Sequence, residues 1–338
     1  MKDNIAIYGA GAYGEFIFLS LKNKGTETVY FVDEYTTKTS IFDTPIYRIK
    51  DAPDKSNTIL LMSVIDDIKD LLFSKGFKDV KSFDKVMLEH TDVLYKYKKL
   101  WGTEVNKIEC EWLFNLFEDE PSKILLHKII DYRTDKTGKI FLYPDGSSNY
   151  FPSDFDAYVG IKELRFADCG GFTGDTVADL IRNKPRKIDW IVSFEPDKNN
   201  LITFFKQVFT PELKLFIYPA GVSDKNGFIG FNSHGSSSKI INHNTSDLIS
   251  TVTIDSVFAH NPPNFIKMDI EGAEKEAIIG AEKTIKDYHP NMSISLYHKP
   301  QDLWELPKLI HSIYPNYEFR IRLHGFGGTE LILYCIPR

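Results

Sequence analysis

The stretch from Leu164 to Asp197 limits what this chain can fold into more than any other. LRFADCGGFTGDTV reads as an apolar strand running into a glycine-rich turn that opens a helix, and IVSFEPD as a second strand ending on a carboxylate. That succession is one nucleotide-binding half of an open α/β sheet, in which a ligand lies beyond the carboxyl ends of the strands. Asp168 closes the first strand; Gly170, Gly171 and Gly174, with Thr173 among them, let the backbone pass close beneath a ligand. Glu195 follows Gly174 by 21 positions. At that distance a second strand delivers an acid to both hydroxyls of a ribose, because a carboxylate can accept two hydrogen bonds at once.

A comparable unit opens the chain. Asn4 to Tyr8 is a short apolar strand, Gly9-Ala10-Gly11-Ala12-Tyr13-Gly14 is a G-x-G-x-x-G turn, and Phe16, Ile17, Leu19 and Leu21 give a helical pattern. The next strand, Val29 to Val32, delivers Asp33, 19 residues past Gly14. Pyrophosphate would sit at the helix N-terminus, where unpaired N–H groups and the helix dipole favour anions, and Asp33 would take a ribose. The unit is short: a loop at Thr44-Pro45-Ile46, a strand at Thr58 to Ser63, an amphipathic helix at Asp66 to Lys75 and a last strand at Val80 to Phe83 leave room for little more than one mononucleotide half. The segment resembles the small N-terminal domain of bacterial sugar O- and N-acyltransferases. That resemblance implies a nucleotide-linked sugar as ligand, with NAD as the alternative and a degenerate unit kept for packing as the third reading.

The whole chain has 338 residues, enough for two ordinary domains, and 42% hydrophobic content supports full-size cores. A net charge of −6 without a Lys/Arg block argues against nucleic acid as a partner. Cys110, Cys169 and Cys335 are widely spaced and form no C-x-x-C, so neither a disulfide framework nor a structural zinc site is signalled, and a reducing cytoplasm is expected. No apolar run is long enough to span a bilayer, and the chain enters a strand directly with no secretory leader.

Three segments follow from these signals: a small Rossmann-like nucleotide-binding domain at 1–87, a helical connector at 88–144 and a larger α/β domain at 145–338. In the connector, Trp112, Leu113, Leu116 and Phe117 share one helical face, Ile124, Leu125 and Ile129 follow, and the helices are expected to cover a sheet edge. Trp101 and Trp112 read as core rather than ligand stackers. The loop Tyr143 to Asp154, with Tyr150-Phe151-Pro152, stands where a lid or substrate wall would be.

Further along, a strand at Leu213 to Tyr218 leads to Gly221-Val222-Ser223, and an insert at Phe228 to Thr253 surrounds the polar loop His234 to Ser238. The strand Asn264 to Met268 ends in Asp269, with Glu271 and Glu274 opening the next helix; for both, favourable charge in a first helical turn is the competing reading. Lys267 reads as structural. The strand Met292 to Tyr297 runs into His298, Asp302 and Glu305 look like a capping box with Pro307 against an unbroken helix, and Tyr317 to Leu323 with Glu330 to Ile336 form a closing hairpin around a loop holding His324.

FADCGGFTGDT, SFEPD, GVSDKNG, VTIDSV and FIKMDIEGAE, in this order, resemble the successive motifs of FkbM-type S-adenosylmethionine-dependent methyltransferases. The resemblance covers about Asp145 to the C-terminus and implies a class I methyltransferase sheet with its closing antiparallel hairpin. It implies S-adenosylmethionine as cofactor: Asp168 and the glycines around its amino acid part, Glu195 on its ribose, Gly221, Val222 and Ser223 by its adenine, and Asp269 near the methyl group. Asp197 either approaches the base or is a solvated loop aspartate. The acceptor is expected to be a small molecule or glycan, in particular a hydroxyl of a sugar or nucleotide sugar, with Asp269, His298 and Glu271 as catalytic candidates; a homo-oligomer is compatible with the sequence. Asp269, Glu271 and His298 could instead hold a divalent cation, which no spacing rule decides. An NAD-dependent oxidoreductase and a non-catalytic sensor are the alternatives from other classes.

Overall fold

The computed structural model describes residues 4–63, 68–90, 105–136, 140–208, 212–232, 239–241 and 248–338. The helical start at Asp66, Trp101 and the loop His234 to Ser238 lie outside the described residues. By packing, the chain divides into two compact units, 1–100 with 132–141 and 101–131 with 142–338. Among the described residues no helix is long and apolar enough to cross a membrane.

The first unit is built on β1 (Asn4–Tyr8), β2 (Thr28–Val32), β3 (Ser40–Ile41), β4 (Thr44–Tyr47), β5 (Thr58–Met62) and β6 (Asp79–Lys81), in the order β3-β4-β2-β1-β5-β6. β4, β2, β1, β5 and β6 run parallel; β3 alone pairs antiparallel, with β4. Their apolar residues bury Ala6, Tyr30, Val32, Leu60 and Met62 against Leu72 and Phe77. The Thr44-Pro45-Ile46 segment, expected as a loop, is strand β4. Proline is tolerated because β4 meets β3 through the two-residue hairpin Phe42-Asp43, and Ile46, not Pro45, supplies the N–H, to Thr39 O. Phe83, expected to end a strand, begins the helix Phe83–Glu89.

The three glycines of the turn do different jobs. Gly9 has φ +99° at the strand-to-helix corner. A Cβ on Gly14 would fall 2.1 Å from the Gly9 carbonyl oxygen, whereas one on Gly11 would meet nothing within 4 Å. Gly11 therefore faces open space at the start of the helix Ala12–Asn23, and Gly14 packs that helix onto the strand. Asp33 is not a free acid: its carboxylate accepts N–H bonds from Ala10, Tyr35 and Thr36, each at 2.8 Å. Burial pushes its carboxyl up, but those bonds and Arg48 outweigh it and hold it below the ordinary range. Gly14→Val is thus expected to unfold this unit. Gly11→Val should keep its melting behaviour and lose whatever nucleotide or nucleotide sugar binds there, which differential melting with and without ligand tests; equal tolerance of both substitutions would refute the division of labour.

The second unit holds a seven-stranded sheet in the order β16-β17-β15-β14-β7-β8-β9, from β7 (Glu163–Cys169), β8 (Lys187–Phe194), β9 (Leu215–Tyr218), β14 (Phe265–Met268), β15 (Asn291–Ser295), β16 (Tyr317–Leu323) and β17 (Leu331–Pro337). β17 alone runs antiparallel to its neighbours, as the closing hairpin requires. Leu164, Phe166, Ile191 and Phe265 come from strands buried on both faces, and Tyr158 stacks on Phe265 at 4.4 Å. The insert forms a separate sheet, β10-β13-β11-β12, from β10 (Gly221–Val222), β11 (Gly227–Asn232), β12 (Lys239–Ile241) and β13 (Leu248–Val252).

The helices Lys107–Leu116 and Glu120–Thr134 include the expected edge cover. Ser122 Oγ accepts the N–H of Ile321 on edge strand β16 at 2.9 Å, satisfying a donor that would otherwise invite strand pairing. Arg322 anchors this contact, donating to Ser122, Asp119 and Asp154. Trp112 packs edge-on against His311 with Lys308 over its ring, as structural packing. The capping box does not form: Gln301 is the N-cap, Asp302 accepts from Lys299 N, and Glu305 pairs with Lys275. The helix Asp302–Ile313 continues through Pro307.

Candidate active site

The chain runs from β7 outward to β9, then crosses back to β14 and β15 on the other side, so the strand order reverses between β7 and β14. Register puts Lys267 of β14 beside Asp168 of β7. Lys267 Nζ lies 3.1 Å from Asp168 Oδ1 and donates to the Gly170 carbonyl at 2.6 Å, while Ser193 Oγ donates to Asp168 Oδ2 at 2.7 Å. Both charges are almost fully buried. Burial pushes Asp168 up against the pull of Lys267 and Ser193; for Lys267 the neighbouring carboxylates outweigh burial, and the ammonium stays charged. Asp168, expected along the cofactor's amino acid part, is thus turned inward, holding the lysine that holds the loop.

The loop glycines are needed by the protein itself. A Cβ on Gly170, at φ +88°, would fall 1.8 Å from the Asp269 carbonyl oxygen; on Gly171, 2.1 Å from Ser193 Oγ; on Gly174, 2.7 Å from Val208 Cγ2. The space expected under a ligand is filled by neighbouring strands and the helix Lys198–Gln207. The N–H groups of Gly170 and Gly171 both go to the Phe194 carbonyl. Thr173 is half-buried in this turn.

Glu195 stands just past β8, nearly buried. Its carboxylate accepts from Phe172 N at 2.9 Å, Asp197 N at 2.8 Å and the Asn200 amide at 3.2 Å. A carboxylate offers about four acceptor positions, so one is left for a ligand hydroxyl, and the Asn200 bond is the longest to displace. Burial raises its pKa. Asp197, the solvated-loop or base-contact candidate, is buried and caps the helix Lys198–Gln207 through Asn199 N and Asn200 N. Gly221 and Val222 pair with Thr251 and Val252 of β13, and Ser223 N donates to Val252 O.

Asp269, one residue past β14, collects a dense polar cluster. Tyr150 donates to its Oδ2 at 2.9 Å, Tyr297 Oη lies 3.2 Å from Oδ1, and His298 Nε2 lies 3.4 Å from Oδ1. Glu271 Oε2 is 3.7 Å from the same nitrogen, and His298 Nδ1 is 2.8 Å from Glu274 Oε1. Burial pushes the Asp269 carboxyl up, but Lys267, His298 and the hydroxyls of Tyr150 and Ser295 outweigh it and hold it below its usual range.

For His298, burial lowers the pKa but Glu274, Asp269 and Glu271 override it, raising it to about 9. The raised pKa favours the cationic imidazole, which makes His298 a charge partner of Asp269. Glu274, expected mainly as first-turn charge, is buried and fixes both His298 and the Ile270 N–H.

Sequence reasoning missed Glu330 and Tyr297. Tyr297 Oη lies 3.2 Å from Glu330 Oε1 as well as from Asp269, and Asn149 donates to Glu330 Oε2 at 2.8 Å. Tyr297 Oη thus stands between two carboxylates, and burial together with the Asp269 charge raises Glu330 to about 7. Glu330 sits at the foot of the closing hairpin at φ +53°, a conformation no local pattern announced. From the 143–154 loop, Tyr150 reaches Asp269, Asn149 reaches Glu330, and Ser147 meets His324. His324 itself is engaged with Ser147 and Tyr334, and burial lowers its pKa.

Residues 168–321 match the family model for the methyltransferase FkbM domain. The methyltransferase FkbM of Methylobacillus flagellatus KT has a similar fold, with a TM-score of 0.61 and 22% identity over 99% of this chain and 90% of that one. A putative rRNA methylase from Clostridium thermocellum overlaps at a TM-score of 0.34 and 9% identity, over 52% of this chain and 88% of that one. No curated protein matches the sequence.

Proposed function

From the premise that residues 168–321 form an FkbM methyltransferase domain, we propose that the chain is an S-adenosylmethionine-dependent O-methyltransferase. Its acceptor is a hydroxyl of a sugar or sugar-derived molecule, and a nucleotide-linked sugar is the ligand of the first unit. One observation carries this reading: two acids meet the same glycine loop at the switch point, Glu195 through the Phe172 N–H and Asp269 through the close approach of its backbone to Gly170. An open α/β sheet holds its ligand there. The family match favours methyl transfer over the oxidoreductase alternative.

S-adenosylmethionine, when bound, supplies an electrophilic methyl on a sulfonium. The residues fit it in one specific respect, the remaining acceptor position on Glu195, which would take a ribose hydroxyl. Asp269 would orient the acceptor hydroxyl and take its proton late, as the new bond forms, because a carboxylate of lowered pKa is a weak base toward a neutral alcohol. Tyr150 and Tyr297 fix that carboxylate, and His298 balances its charge.

Titration calorimetry of the intact chain with S-adenosylmethionine and its demethylated product tests the reading. Wild type should bind both, and Glu195→Gln, which keeps the side chain's shape, should weaken them by about 10-fold or more, or roughly 1.4 kcal/mol. Absence of binding by the wild type overturns the proposal. Methyl transfer assayed on free and nucleotide-linked sugars then separates the acceptor classes.

A further inference from the structure

We propose that Asp269, Glu271 and His298 bind one divalent transition-metal cation, with Glu274 orienting the imidazole. Only the cation's effect on the reaction rests on the methyltransferase reading; its binding does not.

The argument starts at His298. Its Nδ1 is 2.8 Å from Glu274 Oε1, and that oxygen is itself fixed by the Ile270 N–H at 2.9 Å. With a cation present, Nδ1 keeps its proton for Glu274, and Nε2 turns a lone pair toward Asp269 and Glu271. The same carboxylate-to-histidine support orients metal-ligating imidazoles generally.

Nε2 is the telling atom. It belongs to a side chain only 4% exposed and makes no hydrogen bond, although carboxylate oxygens of Asp269 and Glu271 stand 3.4 and 3.7 Å away. A buried polar nitrogen without a hydrogen bond calls for a partner, and a metal ion would take the place of the Nε2 proton between the two carboxylates. Ligand atoms about 2.0–2.2 Å from a common ion stand about 3–3.5 Å apart, and Nε2 stands 3.4 and 3.7 Å from one oxygen of each carboxylate. One imidazole nitrogen with two carboxylate oxygens suits manganese or zinc better than magnesium or calcium, which favour all-oxygen sets. A cation at this position would lower the pKa of a coordinated acceptor hydroxyl.

The probe is Mn²⁺ alone, added to the untagged, chelator-treated full chain, with free Mn²⁺ followed by electron paramagnetic resonance. One Mn²⁺ per chain is expected, with an imidazole nitrogen coupling in the spin-echo spectrum that disappears in His298→Gln. Glu271→Gln should weaken binding at least 10-fold, at a carboxylate more than a third exposed. Glu305→Gln, which removes a carboxylate paired with Lys275 elsewhere, should change nothing. The site is overturned by absence of stoichiometric Mn²⁺, by missing nitrogen coupling in the wild type, or by Glu271→Gln binding as tightly as wild type. If His298→Gln does not fold, the last two criteria still decide. S-adenosylmethionine binding, measured on the same metal-free protein, separates the hypotheses: a chain that binds the donor but takes up no Mn²⁺ sinks this site alone, and one that takes up Mn²⁺ but never binds the donor sinks only the methyltransferase reading.

Discussion

Asp269→Asn is expected to reduce methyl transfer by about 10²–10⁴-fold, the range lost when a positioned proton acceptor is removed. The affinity for S-adenosylmethionine should stay close to that of the wild type. Asparagine keeps the shape and one acceptor oxygen, so the packing against Gly170, which involves the Asp269 backbone, is untouched. What disappears is the charge. Tyr150 and Tyr297 lose a carboxylate to hold, and His298 and Glu330 lose the neighbour that raises both of them. The imidazole pKa should therefore fall from about 9 and the Glu330 pKa from about 7, as NMR titration of the histidine can follow. Turnover within a few-fold of wild type would remove Asp269 from the chemistry. Loss of turnover together with donor binding would instead assign it to the cofactor pocket.

The strands that carry this site were readable because each is a short apolar run closed by an acid: Val32 into Asp33, Phe194 into Glu195, Met268 into Asp269. That pattern reports where a strand leaves a buried sheet, so it gives position along the chain well. It says nothing of where the acid's lone pairs go. Asp33 and Glu195 both spend acceptor positions on the N–H of their own glycine turn, at Ala10 and Phe172, and Asp168 spends both oxygens on Lys267 and Ser193. The glycines misled for a related reason: Gly170 and Gly14 are required by backbone carbonyls of their own unit, and a requirement for no side chain looks the same in sequence whether the intruder is ligand or protein.

Long-range partners were out of reach altogether. Tyr150 and Glu330 are 119 and 61 positions from Asp269, joined only once β17 inserts beside β15. Glu274 sits in a first helical turn, where exposed acids are ordinary, and only burial reveals it as the partner of His298.

The largest effect on stability is expected from Lys267→Met. This substitution leaves Asp168 buried with no cation beside it, and breaking a buried pair from one side typically costs about 3–5 kcal/mol. Ser193 Oγ still donates to Asp168 but cannot neutralise it, and the Gly170 carbonyl loses its ammonium donor, so the loop beneath the candidate site should loosen too. Removing both charges is a different matter: Lys267→Met with Asp168→Asn should recover most of the loss, because the cost lies in the unmatched charge. A pH signature follows from the sign of the shift. Burial already raises Asp168 in the wild type, and without Lys267 its folded pKa climbs further above the unfolded value of about 3.9. A group raised on folding contributes stability that is complete below its unfolded pKa and lost as pH rises through its folded pKa. The single variant should accordingly fall further behind the wild type at pH 8 than at pH 5, while the double variant should show no such widening. Denaturant unfolding at the two pH values measures this directly, and a deficit that stays constant with pH, or a double variant no more stable than the single one, would mean that the Asp168–Lys267 pair does not hold the loop.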